Sequence, residues 1–115
     1  MRELETIRYI LHTALRKARE SNAKHIGHVY LALGEISELN QDFIQEHWDK
    51  ISKGTPAEQA RLHFRLINAE VQCMACFIKY QPLDGRIHCP QCGSVGAKIL
   101  SGEEFYLESI ELDHE

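Results

Sequence analysis

Proline is scarce in this sequence, three residues in 115, and glycine numbers only seven, so no low-complexity or disordered tract of any length fits. Long apolar runs are missing too. The longest covers residues 29–33, far below the roughly 18–20 residues a membrane span needs. Glu3 and Glu5 interrupt any signal-peptide-like core at the start of the chain, and a cytoplasmic address follows as the default expectation. Positive charge is in deficit: 13 Lys and Arg against 17 Asp and Glu give a formal −4, the wrong sign for neutralising a phosphate backbone. Nucleic-acid and membrane partners are therefore not expected. No Ser/His/Asp set, phosphate loop or open metal shell with a general base is visible, which argues against an enzyme.

What the chain does have is a globular composition, 43% hydrophobic and 26% charged, at the length of one domain with a small insert. Leu4, Ile7, Leu11, Ala14 and Ala18 recur at helical spacing, with Glu5, Arg8, His12, Arg16 and Arg19 opposite, and predict an amphipathic helix over 4–19. Asn22 stops it, since Asn tolerates the left-handed conformation. Residues 25–36 predict a strand whose odd positions, Val29, Leu31 and Leu33, face the helix. Asn40 offers an N-cap to a second helix burying Phe43, Ile44, His47, Trp48 and Ile51, which Gly54 and Pro56 terminate. Leu62, Phe64 and Leu66 alternate with His63, Arg65 and Ile67 in a second strand, and 105–112 predict a third, weaker one because Glu108 and Glu111 fall on opposite parities. The expected fold is α/β: a small two-layer domain of two helices on a roughly three-stranded sheet, formed by 1–70 plus 101–115, with one sheet face covered by the helices.

Residues 71–100 differ in character. They are turn-rich, with Pro82, Gly85, Pro90, Gly93 and Gly96, and contain all four cysteines, as Cys73-Met74-Ala75-Cys76 and Cys89-Pro90-Gln91-Cys92-Gly93. Each C-x-x-C turns tightly enough for two thiolates to converge on one ion, and two such knuckles complete a tetrahedral four-sulfur shell without an open position, a structural rather than catalytic arrangement. Gly93 supplies the left-handed residue such a turn favours, whereas Phe77 at the matching position is strained. A pair of disulfides needs an oxidising compartment, and a thioredoxin-like redox site needs one C-x-x-C at a helix start. Iron fits the same ligands, but zinc is the commoner occupant of such ribbons. Four thiolates and a dication carry about −2, so Lys79, Arg86 and Lys98 do not make the ribbon a basic patch.

These residues resemble the HypA/HybF family of hydrogenase maturation factors along essentially the whole chain. Met1-Arg2-Glu3-Leu4 is similar to the family's Met-His-Glu start, Gly34-Glu35-Ile36-Ser37 to its G-E-[LI]-S segment, and Gly54-Thr55-Pro56-Ala57-Glu58 to its G-T-x-A-E turn. The two knuckles stand where the family's zinc ligands stand, and Gly102-Glu103-Glu104-Phe105 with Ile110-Glu111 resembles its closing strand. The resemblance implies a nickel metallochaperone with a nickel domain and an inserted zinc ribbon. It implies delivery of nickel to the large subunit of a nickel-iron hydrogenase, in partnership with a HypB-like GTPase. Nickel is then expected at the extreme N-terminus, on backbone nitrogens and a second-position imidazole, an in-plane nitrogen set suited to square-planar Ni(II).

Position 2 here is Arg2, whose guanidinium has no lone pair to offer. Two expectations follow. Either the Met1 amine, nearby amides and Glu3 bind nickel more weakly with help from a histidine elsewhere, or the chain is a zinc-stabilised adaptor that has lost its nickel cargo and docks maturation partners. Among the histidines, His88 directly before Cys89 is the one a folded-over ribbon could present to Glu3. His12, His25, His28 and His63 read as polar surface residues, His47 as a hydrogen-bonded core or interface residue, and His114 as terminal. About 30 residues with few apolar side chains cannot hold a core of their own, so chelating the metal at pH 7 is expected to unfold the 71–100 insert. The far-ultraviolet CD spectrum followed against metal content checks this; an unchanged spectrum at zero metal overturns it.

Overall fold

The computed structural model describes residues 2–82 and 87–114, with Arg2 and Glu3 as backbone only. The turn residues 83–86, including Gly85 and Arg86, lie outside the described residues. The elements run α1 (Arg2–Glu20), β1 (His25–Gly34), α2 (Gln41–Ile51), β2 (Arg61–Ile67), β3 (Glu70–Cys73), β4 (Lys79–Tyr80), β5 (Ala97–Ser101) and β6 (Phe105–Asp113). They form two three-stranded sheets, ordered β2-β1-β6 and β4-β3-β5. Two compact units result, one of Met1–Ala32, Leu39–Arg65 and Tyr106–Glu115, the other of Leu33–Glu38 and Leu66–Phe105. Among the described residues no helix is long and apolar enough to cross a membrane.

In the first unit, α1 buries Ile7, Leu11, Ala14 and Ala18 of the predicted stripe together with Ile10, while Leu4 is half-buried, and it packs against α2. Asn22 ends the helix with φ +55, where the Asn22 amide donates to Arg19 and the Ala23 amide to Ala18, the paired bonds of a Schellman stop. At the start of α2 the Asn40 side chain accepts from the Phe43 amide at 2.8 Å, while Ile44 and Trp48 fill the core. Phe43, His47 and Ile51 are only half-buried, so the buried stripe is narrower than the periodicity predicts. The following turn is tied by Thr55, whose hydroxyl donates to Ser52 C=O at 2.6 Å and accepts from the Ala57 amide at 3.1 Å. Ala57 is fully buried there, which leaves no room for a larger side chain.

The sheet pairing follows from hydrogen bonds at the ends of its central strand. Lys24 N–H donates to Asp113 C=O and Gly34 N–H to Glu104 C=O, so β6 runs antiparallel to β1. Ile26 N–H donates to Pro56 C=O and Glu35 N–H to Ile67 C=O, so β2 runs parallel to it, with α2 as the crossover that a parallel pair needs. Val29, Leu31 and Leu33 are buried as expected, but Ile26, on the opposite parity, is buried too. In β6 the exposed residues Glu108 and Ser109 are consecutive, so the alternation is interrupted there. Glu108 and Glu111 are both exposed despite their opposite parities. Leu66 departs from the alternation read from β2: it is 56% exposed at the strand's end.

On the open sheet face Arg65 of β2 donates to both oxygens of Glu108 on β6, at 2.9 and 3.1 Å, and so spans the central strand. The pair holds the Glu108 carboxyl below its ordinary range through the guanidinium hydrogen bonds. Ala32, the small β1 residue on the same parity as His28 and Tyr30, is fully buried.

The second unit is built on close backbone approach. A Cβ on Gly34 would lie 2.0 Å from Gly102 O and 2.2 Å from Gly102 C, and one on Gly102 (φ +111) would lie 2.7 Å from Ala69 Cα. Ile36 N–H donates to Gly102 C=O, and the Glu35 carboxylate accepts from the Ala69 amide at 3.0 Å. The Gly34-Glu35 pair thus has local structural work: one residue leaves space, the next satisfies a loop donor. Gly34→Ala is expected to cost about 3 kcal/mol, read as a lowered urea midpoint at unchanged slope. A loss below the error of the melt would show the backbone contact to be slack.

The two knuckles are alike in backbone. Phe77 N–H donates to Cys73 C=O and Gly93 N–H to Cys89 C=O, both at 2.9 Å, with φ +67 and +76. Phe77 therefore holds the left-handed conformation, with the residue 64% exposed and little packing to lose. Phe77→Gly is expected to stabilise the metal-loaded protein by about 1 kcal/mol and Gly93→Ala to destabilise it by about as much, in thermal melts of the two variants. Shifts of the same sign in both would refute the strain assignment.

Candidate metal centre

Strand β3 ends at Cys73, which is fully buried and paired with Ala97 of β5. On its other side β3 pairs with β4, Val71 opposite Tyr80 and Gln72 opposite Lys79, which returns the chain after the first knuckle. The Cys73 amide donates to Ile78 C=O and the Met74 amide to Gly96 C=O, so the first knuckle is pinned from both neighbours. In the second knuckle the Cys89 amide donates to Ser94 C=O. These bonds bring together all four cysteines predicted from the sequence: their Sγ atoms lie within 4.8 Å of one another.

The sulfur spacing is that of ligands, not of disulfides. Cys73 and Cys92 are 3.6 Å apart, Cys76 and Cys89 3.5 Å, and all four are free thiols. A disulfide needs about 2.05 Å. A tetrahedral ion with zinc–sulfur bonds of about 2.3 Å sets its sulfurs about 3.8 Å apart. The donor set therefore fits structural zinc and leaves no position for a substrate.

Backbone amides point at the sulfurs. Ala75 and Cys76 N–H reach Cys73 Sγ at 3.4 and 3.5 Å, and Cys92 N–H reaches Cys89 Sγ at 3.4 Å. The Cys76 and Ala75 amides lower the Cys73 thiol to about 6. Cys76 is pushed the other way, up to about 12: the Ile78 amide favours its thiolate, but burial and the neighbouring sulfurs outweigh it. Cys89 is lowered although burial opposes it, because the Cys92 and Gln91 amides donate to it. Cys92 is raised although the Ser94 amide favours its thiolate, by the Cys73 sulfur and by burial. Four sulfurs at this distance cannot all ionise unaided, and a bound dication removes that conflict.

The other expected site residues are not gathered here. Met1 and the side chains of Arg2 and Glu3 lie outside the described residues, and His88 is exposed beside Cys89. His12, His25 and His114 are exposed, and the His47 ring is 3.0 Å from Phe43 C=O. One arrangement had no signal in the sequence. His28 and His63, read above as surface residues, meet across β1 and β2 with ring nitrogens 2.8 Å apart. They are 35 positions apart, and no spacing motif connects residues on two strands joined by a helical crossover.

The family model described as hydrogenase/urease nickel incorporation, metallochaperone, hypA, matches residues 1–112. A hydrogenase maturation factor HypA of Dehalococcoides mccartyi is 34% identical over 115 residues, all of this chain and 97% of the relative. One of Aquifex aeolicus is 29% identical, covering 98% of each chain. Two solution structures share the fold: the Ni metallochaperone HypA from Helicobacter pylori, with a TM-score of 0.65 at 21% identity over 98% of each chain, and a HypA protein with a TM-score of 0.71 at 22% identity over 98% and 97%. With a family model matched from the first residue to the 112th and relatives alike over their whole length, the chain belongs to the HypA family of hydrogenase maturation factors and nickel metallochaperones.

Proposed function

We propose that this chain assists nickel insertion into the large subunit of a nickel-iron hydrogenase, working with a HypB-like GTPase in the cytoplasm and catalysing no reaction itself. The observation that carries this reading is the match of residues 1–112 to a family described by nickel incorporation. Cys73, Cys76, Cys89 and Cys92 hold zinc, and residues 71–100 form the part of the chain that depends on it. Support comes from the fit of four converging sulfurs to a tetrahedral ion. A closed thiolate shell favours structure and docking over catalysis, and free thiols suit a reducing compartment.

Nickel is the cargo. In this reading the Met1 amine, the first backbone amides and the Glu3 carboxylate take it up, with His88 as an added imidazole. Arg2 favours a second reading, because a fixed positive charge without a lone pair stands where the family has an imidazole. There the chain is a zinc-stabilised adaptor that docks maturation partners without cargo.

Titration of the zinc-loaded protein and its Arg2→His variant with Ni(II) separates the two, read by the visible absorption of square-planar, amide-bound nickel. Submicromolar uptake by the native chain is the expected result and defeats the adaptor reading. Uptake by Arg2→His alone defeats the cargo reading.

A further inference from the structure

Away from the cysteines, the first unit holds two more metal-ligating side chains in contact. His28 on β1 and His63 on β2 set Nδ1 and Nε2 2.8 Å apart, with ring centroids 5.0 Å apart and planes tilted by 38°. Both rings are half-buried on the sheet face opposite Val29 and Leu31. Tyr30 stacks on His63, centroids 4.7 Å apart and planes within 17°. The Tyr30 hydroxyl donates to Glu111 on β6 at 2.9 Å. All three strands of the sheet thus contribute to fixing the pair.

Two facing nitrogens of neutral imidazoles share one proton, so one ring donates and the other accepts. Moving that proton to a distal nitrogen, with His28 protonated on Nε2 and His63 on Nδ1, leaves two lone pairs facing the same gap. A sheet pleat that sets both rings side by side leaves their rotation as the main ordering cost of a two-ligand site. We propose that His28 and His63 form a second metal site, a bidentate imidazole clamp for a borderline divalent transition-metal ion such as Ni(II).

The spacing favours one coordination geometry. With metal–nitrogen bonds of about 2.0–2.1 Å, nitrogens 2.8 Å apart subtend about 85–90° at the ion, the cis angle of square-planar or octahedral coordination. A tetrahedral ion needs them about 3.3 Å apart. Coordination tilts both rings so that their lone pairs meet off the nitrogen–nitrogen line, towards the solvent side. Glu111, held by Tyr30, adds negative charge on the same face, and water completes the shell. Imidazole with water suits nickel, whereas the four-thiolate shell suits zinc, so the two centres differ in ligand softness and in openness. An open two-imidazole site also exchanges its ion readily, as a handling site must. The assignment does not depend on the N-terminal nickel reading.

The zinc-loaded full chain, titrated with Ni(II) chloride and followed through its histidine ring carbon-bound protons by NMR, tests it. The expected result is that Ni(II) added to two equivalents shifts or broadens His28 and His63, and that His63→Gln weakens this binding about tenfold or more at unchanged zinc content and melting temperature. The native titration needs no variant to fold. A titration to two equivalents that leaves the His28 and His63 signals unmoved overturns the proposal, as does a His63→Gln variant whose His28 signal responds at the same nickel concentration as in the native chain. The amide-nickel absorption of the N-terminus reports separately, so failure of one site is distinguishable from failure of the other.

Discussion

Four sulfur atoms brought within 4.8 Å of one another constrain the second unit more than any other feature. Among its described residues the buried apolar ones are few, chiefly Leu33, Ala69 and Val71, with Cys73 and Cys89 making up much of the remainder. Such a unit has too little apolar area to offset the entropy of ordering its chain. A cluster of like-charged ligands makes matters worse until an ion neutralises it, and then the same sulfurs become the strongest contacts present. The knuckle turns, the amides aimed at Cys73 and Cys89 and the left-handed Phe77 and Gly93 all serve that convergence.

The remainder of that unit is held by backbone proximity. Gly34 and Gly102 approach too closely for a Cβ on either, and the Glu35 carboxylate satisfies the Ala69 amide. Glu35 therefore has a structural partner within its own unit, which accounts for an acid at that position without any role in metal binding. The first unit relies on the opposite economy, with Ile7, Ile26, Leu31, Ile44 and Trp48 almost wholly buried in an ordinary apolar core. One chain thus combines a hydrophobic and a coordinative solution to the same entropic problem.

Much of the fold was legible because its signals are local. The α1 stripe, the Asn22 stop, the Asn40 cap and the two knuckles each depend on residues within a few positions of one another, and each stands as read. Errors arose where register intervened. The alternation of β6 breaks at Glu108–Ser109, and near the end of β2 Leu66 lies in solvent. Side-chain period alone carries no information about such a break.

The sequence by itself determined the family, the two helices with the strands of the first sheet, and the pairing of cysteines into two knuckles, since C-x-x-C spacing and helical periodicity are properties of neighbouring residues. Only the tertiary structure decided which distant residues meet. A parallel β1–β2 pair, closed by the α2 crossover, sets His28 against His63 and lays Tyr30 beside them, and the β6 pairing adds Glu111. Strand register, not sequence spacing, fixes those distances, so two histidines that look like scattered surface residues become one constellation.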